Sequence, residues 1–459
     1  MIINIDKEIC TGCRECAEIC PVSAIEGEQG KAQEINYDKC VMCGQCVQKC
    51  KSYVSIVDHG PKAYDQKRAE RNLPSTVKEP LFAAYNNCNL DKVKAALADP
   101  NVITMVQCAP AVRVGIAEDF GGELGTVAAK KLAAALHKIG FDRVYDTNFT
   151  ADLTIMEEGT ELIKRVTEGS GKLPMFTSCC PAWVSFLERN YPEQKDHLST
   201  CKSPQQMGAI FKTYGAKLDN YDPAKIFTVS VMPCTCKEFE CNREEMNSSG
   251  YQDIDVAITT RELAYLIKDM GIDFNSLPDQ DFDQPLGLYT GAGTIFGVTG
   301  GVMEAAIRTG YELITGNPIP AVDVSAVRGS DAFRTATLKV GDLDLKVGIV
   351  TGLANVIPVM EDLKAGKLDL HFIEVMTCPV GCVSGGGQPK LLLDSEKEAA
   401  YEARTKGTYA HDAELPIRKS HENPAIAKIY EDYLLTPNGK ESHHMLHTHY
   451  CTGENNFKK

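Results

Sequence analysis

No run of apolar residues in this chain is long enough to span a bilayer, so a transmembrane helix and a membrane partner are not expected. The opening residues MIINIDKEIC have no basic start, no apolar signal core and no twin arginine, which predicts a soluble cytoplasmic protein. Positive charge is in deficit. The formal net charge is −14, whereas a nucleic-acid groove needs clustered Lys and Arg, so no nucleic-acid partner is expected. Histidine does not occur before His59. No glycine fingerprint follows a strand convincingly, which argues against a flavin or nicotinamide site.

Cysteine, by contrast, is abundant. Nineteen cysteines without an export signal read as metal ligands or redox groups rather than as disulfides. With 459 residues and 43% hydrophobic composition, the chain can build more than one domain. The spacing C-x2-C-x2-C-x3-C occurs twice, as Cys10, Cys13, Cys16, Cys20 and as Cys40, Cys43, Cys46, Cys50. Three closely spaced thiolates wrap three corners of a cubane, and the fourth cysteine of each run serves the other cluster. The expected ligand sets are therefore Cys10, Cys13, Cys16, Cys50 and Cys40, Cys43, Cys46, Cys20. Zinc knuckles are the competing reading, but they usually join two cysteine pairs and commonly include His. Short strands are expected at Ile2–Ile5 and Glu34–Tyr37, and the polar stretch 59–80 reads as a partly helical connection.

Two [4Fe–4S] clusters move electrons but perform no substrate chemistry, so the remaining residues must supply the destination. Beyond residue 80, apolar runs alternate with helical periodicity, which predicts an α/β domain with largely parallel sheets. Expected strands are Val102–Gln107, Met175–Ser178, Ile226–Met232, Lys346–Val350 and Leu370–Val375. Expected helices are Gly125–Ile139, Thr154–Thr167, Pro181–Tyr191, Ser203–Leu218, Arg261–Met270 and Ala354–Leu363. Three strands run into cysteine loops, FTSCCP, VSVMPCTCK and IEVMTCPVGC. Ligands of open α/β sheets bind beyond such carboxyl ends. Cys180, Cys234, Cys378 and Cys382 could there hold a further cubane, or be buried structural thiols. The glycines of GCVSGGGQP at 381–389 would let backbone approach a bulky cofactor.

The loops TSCCPAW at 177–183, MPCTCKEFE at 232–240 and TCPVGCVSGGGQP at 377–389 resemble the signature motifs of the [FeFe] hydrogenases. QCAPAVRVGI at 107–116, KSPQQMGA at 202–209 and TGAGTIFGVTGGVMEAA at 290–306 extend the resemblance over nearly the whole chain. The implied fold is an α+β ferredoxin-like module (1–58), a connecting segment (59–80) and an α/β hydrogenase catalytic domain (81–459). The implied reaction is reversible combination of protons and electrons into hydrogen. Its implied site is an H-cluster, a [4Fe–4S] cubane joined to a diiron site with CO, CN and azadithiolate ligands.

By the same resemblance, Cys180, Cys234, Cys378 and Cys382 hold the cubane, and Cys382 bridges to the diiron part. Cys179 would be the proton donor, continued by Glu158, Ser199, Glu161 and Arg165. Glu158, Glu161 and Arg165 also fall on one helical face, a spacing shared with exposed ion-pair helices. Lys237 would donate to a cyanide, with Glu240 beside it. Pro110, Ala111, Ser203, Gln205, Met232, Phe296 and Met376 would form the wall. Implied partners are a soluble electron carrier such as ferredoxin or flavodoxin, hydrogen and protons, and maturation proteins.

The sequence departs from the family's common pattern at Cys236, Val380 and Ala111. Cys88, Cys108, Cys201, Cys241 and Cys451 are expected to be incidental thiols, and the tail SHHMLHTHYC is not expected to bind zinc. A hydrogen sensor would usually carry an extra signalling domain, and none is expected after residue 450. An assembly scaffold would usually lack one of the three motifs.

Overall fold

The computed structural model describes residues 2–450. Among them, no helix is long and apolar enough to cross a membrane. The N-terminal part contains strands β1 (Ile3–Ile5), β2 (Ile25–Glu26), β3 (Glu34–Ile35), β4 (Tyr53–Val54), β5 (Leu81–Phe82) and β6 (Ala84–Asn86). β2 and β3 form an antiparallel pair between the two cysteine runs. The other two pairs, β1 with β6 and β4 with β5, are also antiparallel. Residues 81–86, expected to open the large domain, thus complete the pairing of the first 58. The connection contains a helix, Pro61–Glu70, whose Lys67 and the following Arg71 both reach Asp6, at 3.1 and 2.8 Å.

The larger part contains β7 (Ile103–Cys108), β8 (Arg143–Asp146), β9 (Met175–Phe176), β10 (Ile226–Met232), β11 (Val256–Thr259), β12 (Phe333–Val340), β13 (Leu343–Thr351) and β14 (Phe372–Met376). One four-stranded sheet, in order β11-β10-β7-β8, is parallel throughout. The second, β12-β13-β14-β9, is parallel except for the antiparallel hairpin β12–β13. Central strands β10, β7 and β14 are buried almost continuously, as apolar runs covered on both faces require.

Helices formed near the expected positions at Ala129–Ile139, Thr147–Glu168, Pro181–Asn190, Thr260–Asp269 and Val356–Lys364. The longest begins about two turns earlier than expected because Asp146 caps it, accepting from the Asn148 N–H at 2.9 Å. The helix expected over Ser203–Leu218 is instead a 3-10 turn at Gln206–Gly208, a π segment at Phe211–Gly215 and a short helix at Ala216–Asp219. Its first residues are committed elsewhere: Ser203 and Gln205 both bond to Glu240. The expected strand Met175–Ser178 stops at Phe176, after which Thr177 and Ser178 turn toward the site.

Candidate functional site: a cysteine-lined cavity

Strands β9, β10 and β14 end at Phe176, Met232 and Met376, from two different sheets. Each is followed within four residues by a cysteine, so the sheets bring Cys180, Cys234 and Cys378 to one place, with Cys382 on the same loop as Cys378. All four line one cavity. Their thiols face one another, and burial, followed by this mutual proximity, pushes Cys234 and Cys382 up to about 12. Cys378 is displaced in the same direction, by burial and then by Cys234, Cys382 and Cys180. Four crowded, buried thiols hold their protons in isolation; a multi-iron cation that replaces those protons relieves the crowding, so the donor set fits a cubane.

Local donors are also in place. The N–H groups of Cys236 and Lys237, at the start of helix Cys236–Cys241, point at Cys234. The Thr377 hydroxyl lies 3.2 Å from Cys180 Sγ. Gly381 and Gly385 of the last loop line the cavity, and the glycines there serve a second purpose as well. A Cβ on Gly385 would lie 2.1 Å from Pro233 O, and one on Gly386 would lie 2.5 Å from Cys43 O. They also permit loop-to-loop packing, which in turn positions the cysteines.

The expected wall is largely assembled. Pro110, Ala111, Gln205, Met232, Phe296 and Met376 line the cavity with Cys179 and Lys237. Ser203 stands behind it, donating to Glu240 Oε2 at 2.8 Å. Lys237 Nζ donates to the same oxygen at 2.9 Å and to the Cys179 carbonyl at 3.1 Å. Burial opposes the Lys237 charge, but Glu240 outweighs it and holds the ammonium above its ordinary range. The Gln205 amide is held by Ser230, Glu240 and the Lys237 carbonyl. Ala111 accepts from Gln388 through its backbone carbonyl, Cys236 is fully buried in the core around Trp183, and Val380 packs against the core that includes Phe296, its carbonyl accepting from the Thr299 N–H at 3.2 Å.

A line of polar groups leads away from Cys179. The Cys179 thiol is pushed well up, by burial first and the Glu158 charge second. Glu158 is itself buried, and its carboxyl rises to about 8 because of burial, then the neighbouring Glu161 charge, against weaker opposition from Ser199 and the Ser178 N–H. Ser199 donates to Glu161 Oε2 at 2.9 Å, and Arg165 holds Glu161 Oε1 at 2.5 Å. Thus Cys179, Glu158, Ser199, Glu161 and Arg165 are brought together; the direct hydrogen bonds run from Ser199 through Glu161 to Arg165, and the two Glu158 oxygens are buried without a hydrogen-bond partner among the described residues.

In the N-terminal part the two cysteine runs interleave. Cys16 is pushed up to about 12 by burial and then by Cys50, Cys10 and Cys13, so the fourth cysteine of the second run stands with the first. Conversely, Cys43 and Cys46 have Cys40 and Cys20 as neighbours. Backbone N–H groups approach the sulfurs of Cys20, from Ala24 at 3.2 Å, and of Cys40, from Met42 at 3.4 Å.

The sequence comparisons agree with this geometry. Residues 102–386 match the family model described as iron only hydrogenase large subunit, C-terminal domain; residues 398–452 match iron hydrogenase small subunit, and residues 2–51 match a 4Fe-4S dicluster domain. The chain is 48% identical to the NADP-reducing hydrogenase subunit HndD of Solidesulfovibrio fructosivorans, covering 90% of this chain and 73% of that protein. It is 46% identical to the periplasmic [Fe] hydrogenase large subunit of Nitratidesulfovibrio vulgaris, covering 84% and 86%. The chain belongs to the [FeFe], or iron-only, hydrogenase family.

A solved structure of apo [FeFe]-hydrogenase HydA1 from Chlamydomonas reinhardtii superposes on this hydrogenase with a TM-score of 0.69 at 40% identity, covering 79% of this chain and 99% of that one. More distant similarity, 29% identity over 79% of this chain and 77% of its relative, reaches cytosolic iron-sulfur assembly component 3 of Rattus norvegicus. The protein is therefore an enzyme with a ferredoxin-like [4Fe–4S] module and a hydrogenase domain, and an H-cluster and [4Fe–4S] clusters are its cofactors.

Sequence reasoning missed the C-terminal contribution to the hydrogenase interior. His447 is fully buried, with Nδ1 2.8 Å from Thr200 Oγ1 and Nε2 2.8 Å from Glu157 Oε2. Cys201, read as incidental, lies 3.8 Å from Glu161 Oε2 and 3.7 Å from His447 Nδ1. One donor atom each from Glu161, Cys201 and His447 lie within 4.8 Å of one another. Nothing in the spacing of LHTHY distinguishes His447 from the exposed His449, so no local signal could have found it. Cys451 lies outside the described residues.

Proposed function

We propose that electrons enter this hydrogenase at the N-terminal cysteines, pass inward through two [4Fe–4S] clusters, and reach the H-cluster held by Cys180, Cys234, Cys378 and Cys382. The observation that carries this reading is the placement of Cys43, which neighbours both Cys234 and Cys378 while the last cysteine of its run, Cys50, stands beside Cys16 in the run that holds the solvent-exposed Cys13. The outer cluster is assigned to Cys10, Cys13, Cys16 and Cys50, and the inner one to Cys40, Cys43, Cys46 and Cys20. Residues 1–58 together with strands β5 and β6 form the wire, 59–80 connect those two parts of it, and the remainder of 81–459 forms the catalytic domain.

When bound, the H-cluster supplies an iron at which hydrogen interconverts with two protons and two electrons, and maturation proteins install its diiron part. The chain's own residues handle the proton. Cys179 carries it between the cavity and Glu158, and Ser199 links Glu158 to Glu161, whose carboxylate Arg165 orients. Cys382 would be the cubane ligand shared with the diiron part. Lys237 offers an ammonium donor to an anionic ligand, while Pro110, Ala111, Ser203, Gln205, Met232, Phe296 and Met376 shape the wall around it.

The external partner in this reading is a soluble carrier such as ferredoxin or flavodoxin in the cytoplasm. The name of the HndD relative makes a nicotinamide-reducing partner the specific alternative, and that of the periplasmic relative makes location a matter for fractionation. Hydrogen-driven reduction of ferredoxin, compared with reduction of a small dye, tests the route. Cys13→Ala should lose most ferredoxin-linked turnover while keeping dye-linked turnover, and equal retention of both would contradict it.

A further inference from the structure

Gln45 lies between Cys43 and Cys46 and opens the short helix Gln45–Lys49. Its side chain is 6% exposed and crosses from the N-terminal module into the catalytic domain. The amide Nε2 donates to Cys378 Sγ at 3.3 Å and to Ser384 O at 3.2 Å, contacts that span 333 and 339 residues of sequence. Both amide hydrogens are therefore used on the loop that carries Cys378 and Cys382.

The approach is fixed on both sides. Gly44 sits at φ 72°, and a Cβ there would lie 2.5 Å from Thr235 Oγ1, so the backbone before Gln45 is pressed against the loop of Cys234. Thr235 closes that seam by donating to Met42 O at 2.7 Å. One turn along the helix, Gln48 donates to Gly385 O at 3.2 Å and to Gln388 O at 2.8 Å. Gln45 and Gln48 thus hold the same seam, but only Gln45 ends on a sulfur.

We propose that Gln45 tunes the potential of the catalytic cubane through its hydrogen bond to Cys378, and so matches that cubane to the wire that feeds it. This rests on the assignment of Cys378, Cys43 and Cys46 as ligands. A donor aimed at a ligand sulfur stabilises the more negative, reduced cluster and raises its potential. Cys234 has N–H donors from its own loop and Cys180 a hydroxyl from Thr377 on the Cys378 loop, both within the catalytic domain, whereas the amide on Cys378 comes from a residue standing between two ligands of the neighbouring cluster. The catalytic cubane therefore takes part of its electronic setting from the electron-transfer module. Gln45 acts through Cys378 and is a positioning residue rather than a catalytic one.

The test is an anaerobic redox titration of the full-length protein, following each cubane by electron paramagnetic resonance. Gln45→Leu removes the donor and should weaken reduction of the Cys378-held cubane about tenfold, about 59 mV downward for a one-electron couple. Gln45→Glu, nearly the same size, should move it in the same direction and provides the measurement if the leucine variant loses iron. Gln48→Leu loosens the seam without touching sulfur and should leave that potential in place. An unchanged potential in both Gln45 variants, or an equal shift in Gln48→Leu, would overturn the proposal. A wild-type titration resolving only two cubanes would instead overturn the ligand assignment on which it rests.

Discussion

Ser199 donates its hydroxyl hydrogen to one oxygen of Glu161 at 2.9 Å while Arg165 grips the other at 2.5 Å. The carboxylate is thereby oriented with one oxygen toward Glu158's side of the helix and the other toward the guanidinium. Ser199→Ala removes the hydroxyl link and leaves the Arg165 contact. Hydrogen turnover should fall on the order of 10²-fold with iron content intact, and Ser199→Thr, which restores a hydroxyl, should recover part of it. Turnover assays beside iron determination check this.

Cys179 stands between the cavity and Glu158 and is not one of the four clustered sulfurs. Cys179→Ala should therefore keep the infrared bands of iron-bound carbon monoxide and cyanide while losing turnover on the order of 10²–10⁴-fold. Wild-type turnover in that variant would remove Cys179 from the proton route.

Glu158 gives a pH signature. Burial, followed by the Glu161 charge, raises its carboxyl from 4.5 to about 8 in the folded protein. A raised carboxyl means that the native state binds more protons than the unfolded chain between those values, so this group's contribution to stability declines as pH rises through that window. A protonated carboxylic acid band should persist in infrared spectra at neutral pH, fade near pH 8 and be absent from Glu158→Gln. A band lost near pH 4.5 would contradict the assignment.

The segment matching the small-subunit model is pinned by a buried ion network. Arg308 bonds both oxygens of Asp412, at 2.9 and 2.8 Å, and pairs with Glu304 at 2.7 Å, with all three side chains fully buried. Asp412→Ala leaves Arg308 short of a counter-charge and should destabilise the protein by about 3–5 kcal/mol, because removing one partner of a buried pair strands the other. Anaerobic thermal unfolding checks the effect.

The parts of this enzyme that were legible in its sequence are those written in local spacing. The doubled cysteine repeat anticipated that Cys20 and Cys50 would each stand beside the other run, and β10 occupies the expected residues Ile226–Met232 before its cysteine loop. The hairpin β12–β13 was half missed. Phe333–Val340 alternates exposed and half-buried residues, and its two threonines, arginine and lysine carry too little apolar contrast to announce an edge strand. Helical periodicity over Ser203–Leu218 was real but overridden, because Ser203 and Gln205 are drawn to Glu240 and Gly208 packs tightly against Gln107. Gln45 and His447 were invisible for a different reason. Their partners lie hundreds of residues away, and only the fold creates the contact.

The most direct test is the infrared spectrum of protein co-produced with the maturation proteins, recorded for wild type and for Cys382→Ala. The wild type should show iron-bound carbon monoxide and cyanide bands together with hydrogen turnover, and Cys382→Ala should lose both while retaining the N-terminal clusters. A fully iron-loaded wild type without those bands, or a Cys382→Ala variant that keeps them with full turnover, would contradict the assignment of this cysteine-lined cavity as the H-cluster site.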